Sequence, residues 1–325
     1  MKKLILCLCI AVLASCSHMN SNDHPAPQRS LDDKKLLSIA TGGKSGPYYA
    51  IGKEMSQIFS ETGEYAANVQ SSGGTAENLS LLKEEKAELA FAMLDIASLA
   101  YKGEGAFKEP AKNLRSLATL YTNVVQVVTL PKTEIKSLSD LKGKKIGIGA
   151  KGSGVEINAL TILKGYGIER LDIDAEYLSY RESIEQLKSG AIDAAFVTSG
   201  LPNPAVTELL QSERIVILPI ELERLKTEGI QTDYLTDITI PKGVYQNDQD
   251  IQTVGVQNIL LVSKKLPDHT VYELTKILNE KKQVLIDAHP AMSGFHEENA
   301  VYTGPIPMHP GALKFYSKKN VRQNR

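Results

Sequence analysis

Leu36-Leu37-Ser38-Ile39-Ala40-Thr41-Gly42-Gly43-Lys44-Ser45-Gly46-Pro47-Tyr48-Tyr49 contains, in order, a short apolar run, a glycine loop and a proline-led amphipathic segment. The run over 36–40 predicts a strand bounded by turn residues. Pro47 stands where a helix tolerates proline best, in its first turn, and the helix is expected to reach Thr62. The same order returns downstream. A strand over Tyr65–Gln70 leads into Ser71-Ser72-Gly73-Gly74, a helix over 75–86 and a short strand over 88–93. Extended segments follow at 114–121 and 124–130. A second unit has a strand at 146–150, the loop Lys151-Gly152-Ser153-Gly154 and a helix over 155–165. It continues with a strand near 175–178, a helix over 183–189, a strand over 191–197, the loop Thr198–Asn203 and a helix from Pro204. Strand, Gly/Ser loop and helix in repetition predict an α/β fold with parallel-rich sheets flanked by helices. The β-branched run 254–262 returns the chain to the first unit, and 268–288 reads as helical. Two lobes are therefore expected, residues 34–122 plus 263–325 and residues 123–262, with extended crossings near 121–128 and 254–262.

The first residues have a different character. Lys2 and Lys3 precede an apolar run from Leu4 to Ala14, followed by Ser15 and Cys16. A charged start, an apolar middle and small residues at a cleavage point make an export signal, expected over 1–15. The run is shorter than the ~20 residues a membrane-spanning helix needs. Leu13-Ala14-Ser15-Cys16 resembles the bacterial lipobox, in which the cysteine is acylated and becomes the new N-terminus. The alternative is an ordinary signal with an incidental cysteine. A lipidated Cys16 would anchor the protein at the extracytoplasmic face of a membrane, since each buried CH₂ contributes about 0.8 kcal/mol. Residues 16–33, with Pro25 and Pro27, then read as a tether.

Composition limits the chemistry. Cys7, Cys9 and Cys16 are the three cysteines of the chain, so the body after the tether has no thiol for a disulfide, a zinc-thiolate site or a nucleophile. Without Lys2 and Lys3 the chain carries 35 basic and 38 acidic residues, a balance that gives no footprint for nucleic acid. His269, His289, His296 and His309 show no metal-ligand spacing, and no G-x-S-x-G elbow occurs. Gly147-Ile148-Gly149-Ala150-Lys151-Gly152 spells a dinucleotide fingerprint, but its first glycine falls inside the strand and the helix begins only after Ser153. Neither a metal nor an organic cofactor is expected.

Four loops share one design: 42–46, 71–74, 152–154 and 199–203 each follow a strand, are rich in Gly and Ser, and open a helix. Helix starts carry unsatisfied N–H groups and about half a positive charge, so they bind anions. In open α/β sheets, ligands sit at the carboxyl ends of strands. Taken singly, each loop is equally well explained as turn and cap chemistry. Ser153 with Glu156 fits a capping box, and Asn203 before Pro204 reads as a cap. Asp95, at a strand end, is a pocket residue or a helix cap.

Ala40-Thr41-Gly42-Gly43, Tyr48-Tyr49 and Gly52 resemble the opening of TAXI-type solute receptors of TRAP transporters. Ser72-Gly73-Gly74-Thr75 with Glu77-Asn78, Leu141 to Lys144, Gly152-Ser153-Gly154, Tyr272 and Met308-His309-Pro310-Gly311-Ala312 extend the likeness from Leu36 to Tyr316. The resemblance implies a two-lobed periplasmic-binding-protein fold with a ligand cleft between the lobes. It also implies docking on the membrane subunits of a TRAP permease. Carried over by position, the pocket would use Ser45, Tyr48, Tyr49, Ser72, Gly73, Thr75, Asp95, Ser153, Gly154, Ser199 and Gly200. Lys44 stands where a small or hydroxyl residue is usual; it either enters the pocket, favouring an anion, or points to solvent. Met93-Leu94 stands where a polar pair is common, giving an apolar wall.

The resulting expectation is a monomeric receptor for a small organic anion, either a dicarboxylate or an acidic amino acid, with 2-oxoglutarate and glutamate as the respective examples. Two rival classes remain. A lipid-anchored sensor would be distinguished by its genetic neighbourhood. An exported enzyme would need a perturbed acid/base pair in the cleft.

Overall fold

The structure is a computed structural model and describes residues 34–321. The export signal, Cys16 and the tether lie outside the described residues. The first run of elements is β1 (Lys35–Ala40), α1 (Pro47–Ser60), β2 (Tyr65–Gln70), α2 (Thr75–Lys83), β3 (Leu89–Met93), α3 (Leu94–Lys102) and β4 (Leu114–Thr129). The chain continues through β5 (Lys145–Gly147), α4 (Gly154–Gly165), β6 (Asp174–Glu176), α5 (Tyr180–Ser189), β7 (Ala194–Ser199) and α6 (Pro204–Leu210). Next come β8 (Val216–Leu218), α7 (Leu222–Thr227), β9 (Leu235–Ile240) and β10 (Ile251–Ser263). It closes with α8 (Asp268–Glu280), α9 (Lys282–Ala288), α10 (Glu297–Ala300) and α11 (Pro310–Lys318).

The fold is α/β, with helices packed on the sheet as expected. Its strands join in one ten-stranded sheet ordered β2-β1-β3-β10-β4-β7-β5-β6, with β8 added to β4 and β9 to β10. Both ends are parallel (β2/β1/β3 and β7/β5/β6), and the middle is antiparallel. The two extended segments expected at 114–121 and 124–130 are one strand, because β4 stays paired throughout. Its first part pairs with β10 from Leu114 to Val124, and its last part pairs with β7 from Val124 to Thr129. Register shifts between Asn258 and Ile259 and between Leu260 and Leu261 mark bulges, which bend and twist a ribbon.

Local chemistry moves several other boundaries. The strand expected over 146–150 ends at Gly147, and Gly149 turns the chain away with a φ of +92°. The helix α2 stops short of Lys86 because Glu85 adopts a positive φ of 58°. The helix expected from Ser183 starts at Tyr180. Ser179 caps it by accepting from the Glu182 N–H, while the Glu182 carboxylate takes the Ser179 N–H. The elements α3, α7, β8, β9 and α11 were not anticipated from the periodicity.

Three apolar clusters hold the layers. One packs α1, α8 and α11 on β1 through Ile39, Ile51, Phe59, Leu274 and Phe315. Another packs α5 and α6 on β7 through Leu187, Val197 and Val206. The third runs beneath both halves of the sheet, joining Ala90, Leu94 and Ile259 to Ile146, Ala159 and Phe196.

The His309-Pro310-Gly311 segment serves this packing. His309 is fully buried; its Nδ1 accepts from the Gly311 N–H, and its Nε2 donates to the Leu266 carbonyl at 3.0 Å. Gly311 lets α11 lie directly on α8. A Cβ there would fall on the Asp268 carbonyl oxygen and lie 2.8 Å from the Tyr272 backbone nitrogen. Gly311→Ala is expected to destabilise the protein by about 2 kcal/mol or more, because backbone gives way less readily than a side-chain tip. Urea denaturation checks this; an unchanged midpoint would show that α11 is free to shift.

Candidate functional site

Parallel strands deliver their carboxyl ends, and the helix starts that follow, to one cavity of about 100 Å³. Its wall takes Ser45, Gly46, Pro47 and Tyr48 at the start of α1, and Ser72 to Thr75 at the start of α2. From the other half of the sheet it takes Ser153, Gly154 and Val155 at the start of α4, and Ser179 and Tyr180 at the start of α5. Met93, Gly149, Ala150, Leu178, Thr198 and Ser199 complete much of the rest.

The loop hydroxyls are largely committed to building the loops. Asn78 is fully buried, and its Nδ2 donates to the carbonyls of Thr41 and Phe91, which ends β1 and β3 in register. Its Oδ1 accepts from Ser72 Oγ at 2.6 Å, and Ser72 Oγ in turn accepts from the Gly74 N–H. Thr75 Oγ1 accepts from the Met93 N–H. Ser153 Oγ accepts from the Glu156 N–H, and the Glu156 carboxylate takes the Gly152 N–H, one residue ahead of a strict capping box. Ser199 Oγ accepts from Asn203 Nδ2, while Asn203 Oδ1 caps α6.

Two helix starts stand apart. No side chain caps α1 or α2. In α1, Pro47 has no N–H and the Tyr49 N–H donates to the Gly46 carbonyl, so the Tyr48 N–H and the first N–H groups of α2 are the ones left without the acceptor that a Ser, Asp or Asn would supply. Thr198 adds a donor: it lies on the wall, is 2% exposed, and its Oγ1 has no partner. No Asp, Glu, Lys, Arg or His of the described residues lines the cavity. Burial raises the hydroxyl pKa of wall residues Tyr48 and Tyr180, so both rings are neutral. Tyr48 stacks on Phe91 at 5.0 Å and accepts from Asn123 Nδ2, and Tyr180 donates to the Thr198 carbonyl.

Of the expected pocket residues, Ser45, Tyr48, Ser72, Gly73, Thr75, Ser153, Gly154 and Ser199 share this wall; Lys44, Tyr49, Asp95 and Gly200 do not. Lys44 is exposed. Gly200 is packed away from the cavity, where an added Cβ would run into Ala291 and lie 3.0 Å from the Tyr121 ring. The fourth helix start on the wall is α5 rather than α6. The Ser179-x-x-Glu182 pattern was the signal that could have located it.

Asp95 sits behind the cavity in the first turn of α3. Its Oδ2 accepts from Asn158 Nδ2 of α4 at 2.6 Å, and its Oδ1 accepts from the Ile96 N–H. The bond joins the two halves of the molecule. Close by, Gly154 meets Met93 so tightly that a Cβ would lie 2.8 Å from the sulfur, and Gly46 faces the Tyr180 ring. Burial pushes the Asp95 carboxyl up to about 6, against the lowering pull of Asn158 and the Ile96 N–H.

A family profile described as NMT1-like matches residues 39–319. The chain belongs to the NMT1-like family. Solved structures share its fold. MatC from Rhodopseudomonas palustris with bound malate superposes with a TM-score of 0.58 at 11% identity, covering 88% of this chain and 96% of that one. A protein of Bordetella bronchiseptica RB50 gives 0.51 at 19% identity over 88% and 83%. A Xanthomonas citri protein bound to ATP gives 0.51 at 10% identity over 88% and 95%. At these identities the likeness concerns the fold. No helix among the described residues is long and apolar enough to cross a membrane.

The Asp95 shift sets the sign of a pH effect. Between an ordinary aspartate value near 4 and about 6, the folded NMT1-like chain holds a proton that the unfolded chain has released. The contribution of this group to stability therefore falls as pH rises through that window. Asp95→Asn is expected to flatten the wild-type decline in melting temperature from pH 4 to 6. Thermal melts of both proteins check this, and parallel curves would refute it.

Proposed function

We propose that this chain is an extracytoplasmic solute receptor that captures a small organic anion between two lobes and delivers it to a TRAP-type permease. One observation carries the reading: four helix starts, two from each half of the sheet, open on one small cavity, and two of them lack side-chain caps. Dipole-positive ends hold an anion without a counter-ion of opposite charge. The cavity is far below the several hundred Å³ of a drug-sized pocket, so its occupant is small.

In this reading the lobes are 34–122 plus 263–325 and 123–262, and they close about β4 and β10. Closure is favoured by contacts made only in the closed form, including Asp95 with Asn158 and Gly154 with Met93. The finer assignment, a TAXI-type receptor anchored through an acylated Cys16, rests on the motif resemblance. Malate in MatC, a protein of the same fold, is consistent with a small carboxylate. The raised pKa of Asp95 does not favour an enzyme, because its carboxylate is held by Asn158 and lies off the cavity wall.

Calorimetric titration with succinate, malate, 2-oxoglutarate and glutamate tests the reading. At least one is expected to bind with a Kd tighter than about 1 mM. Thr198→Val should weaken that ligand about tenfold, the scale of one hydrogen bond to a charged group, with an unchanged melt. Absence of binding across the panel would end the receptor reading.

A further inference from the structure

The cavity also discriminates by what it lacks. A ligand bearing an ammonium group needs an anionic or strongly accepting partner when it leaves water. None of the described wall residues carries a carboxylate. The nearby carboxylates are already engaged: Glu77 holds the Gly73 N–H, Glu156 the Gly152 N–H, Glu182 the Ser179 N–H, and Asp95 the Asn158 amide. Each ties down its own loop or the junction between halves. The starts of α1, α2, α4 and α5 all place their positive ends there. Much of the remaining wall is apolar: Met93, Val155, Leu178 and the Tyr48 ring. Thr198 lines that wall, and its Oγ1 is a buried hydroxyl without a partner.

We infer that the site selects small carboxylates without an amine, oxo- or hydroxy-acids, and rejects the corresponding amino acids. The inference rests on the receptor reading and narrows it. An ammonium here would meet four helix starts of its own sign and no free carboxylate among the described residues. A carboxylate meets N–H groups and a hydroxyl.

Matched pairs test it: malate against aspartate, and 2-oxoglutarate against glutamate, each titrated calorimetrically into the full chain at one pH. The acid of at least one pair should bind, with its amino counterpart about 30-fold weaker or worse, roughly 2 kcal/mol. An amino acid that equals or exceeds its partner would overturn the selectivity and leave the receptor reading standing. Silence from both pairs would overturn the selectivity, and the receptor reading falls with it when succinate is silent as well. Ala150→Asp places a carboxylate on a half-exposed stretch of the wall. It should shrink the discrimination about tenfold while keeping the wild-type melt. An unchanged ratio in the folded variant would also refute the account. If that variant does not fold, the wild-type pairs alone decide.

Discussion

Everything in this molecule depends on the pairing of β4 with β10. Each strand is long enough to serve both halves: β4 pairs with β10 and then with β7, while β10 keeps β4 on one edge and takes β9 and then β3 on the other. β4 passes from β10 to β7 at Val124, and β10 passes from β9 to β3 within a few residues of the same level. The parallel strands on either side then point their carboxyl ends at a common gap. Bulges at Asn258 and Leu260 supply the local bend on which such an arrangement turns. The apolar cluster beneath the sheet spans the same junction, so the halves share a core as well as a ribbon.

The cavity follows from how the polar side chains around it are used. Asn78 and Asn203 are fully buried and act as knots, each tying a strand end to the next loop or helix. In the receptor reading, Ser72 and Ser199 spend their protons inside their own loops, so recognition falls to backbone N–H groups and to hydroxyls that keep a proton to donate, Ser153 and Thr198. Backbone donors at a helix start cannot rotate away. In the receptor reading the site is therefore organised before a ligand arrives, which would lower the ordering cost of binding.

Much of this was legible in the residues. The runs over 36–40, 65–70 and 88–93 have clear bounds, and three of the four expected glycine loops, 42–46, 71–74 and 152–154, open helices on the cavity wall. What was hidden depends on partners distant in sequence. The short strands β8 and β9 exist because β4 and β10 offer them edges, and three apolar residues such as Val216–Leu218 carry no period of their own. Lys44, Tyr49, Asp95 and Gly200 stand next to wall residues or strand ends in sequence but miss the wall, because side-chain direction is set by packing across the molecule. Gly200 is taken up by Ala291 and Tyr121, and Asp95 by Asn158. Thr198 escaped notice because a threonine at a strand end is unremarkable until its neighbours are known to leave its hydroxyl alone.

The position of β10 also constrains how the protein is made. β3 has β1 on one side and β10 on the other, and Asn258 reaches Met93 only after the whole intervening half has been synthesised. Until then the early half of the sheet has an open, apolar edge and cannot complete its layer. Assembly is thus decoupled from the order in which a ribosome releases the chain. A nascent polypeptide truncated anywhere before residue 251 lacks the strand that would let residues 35–93 settle.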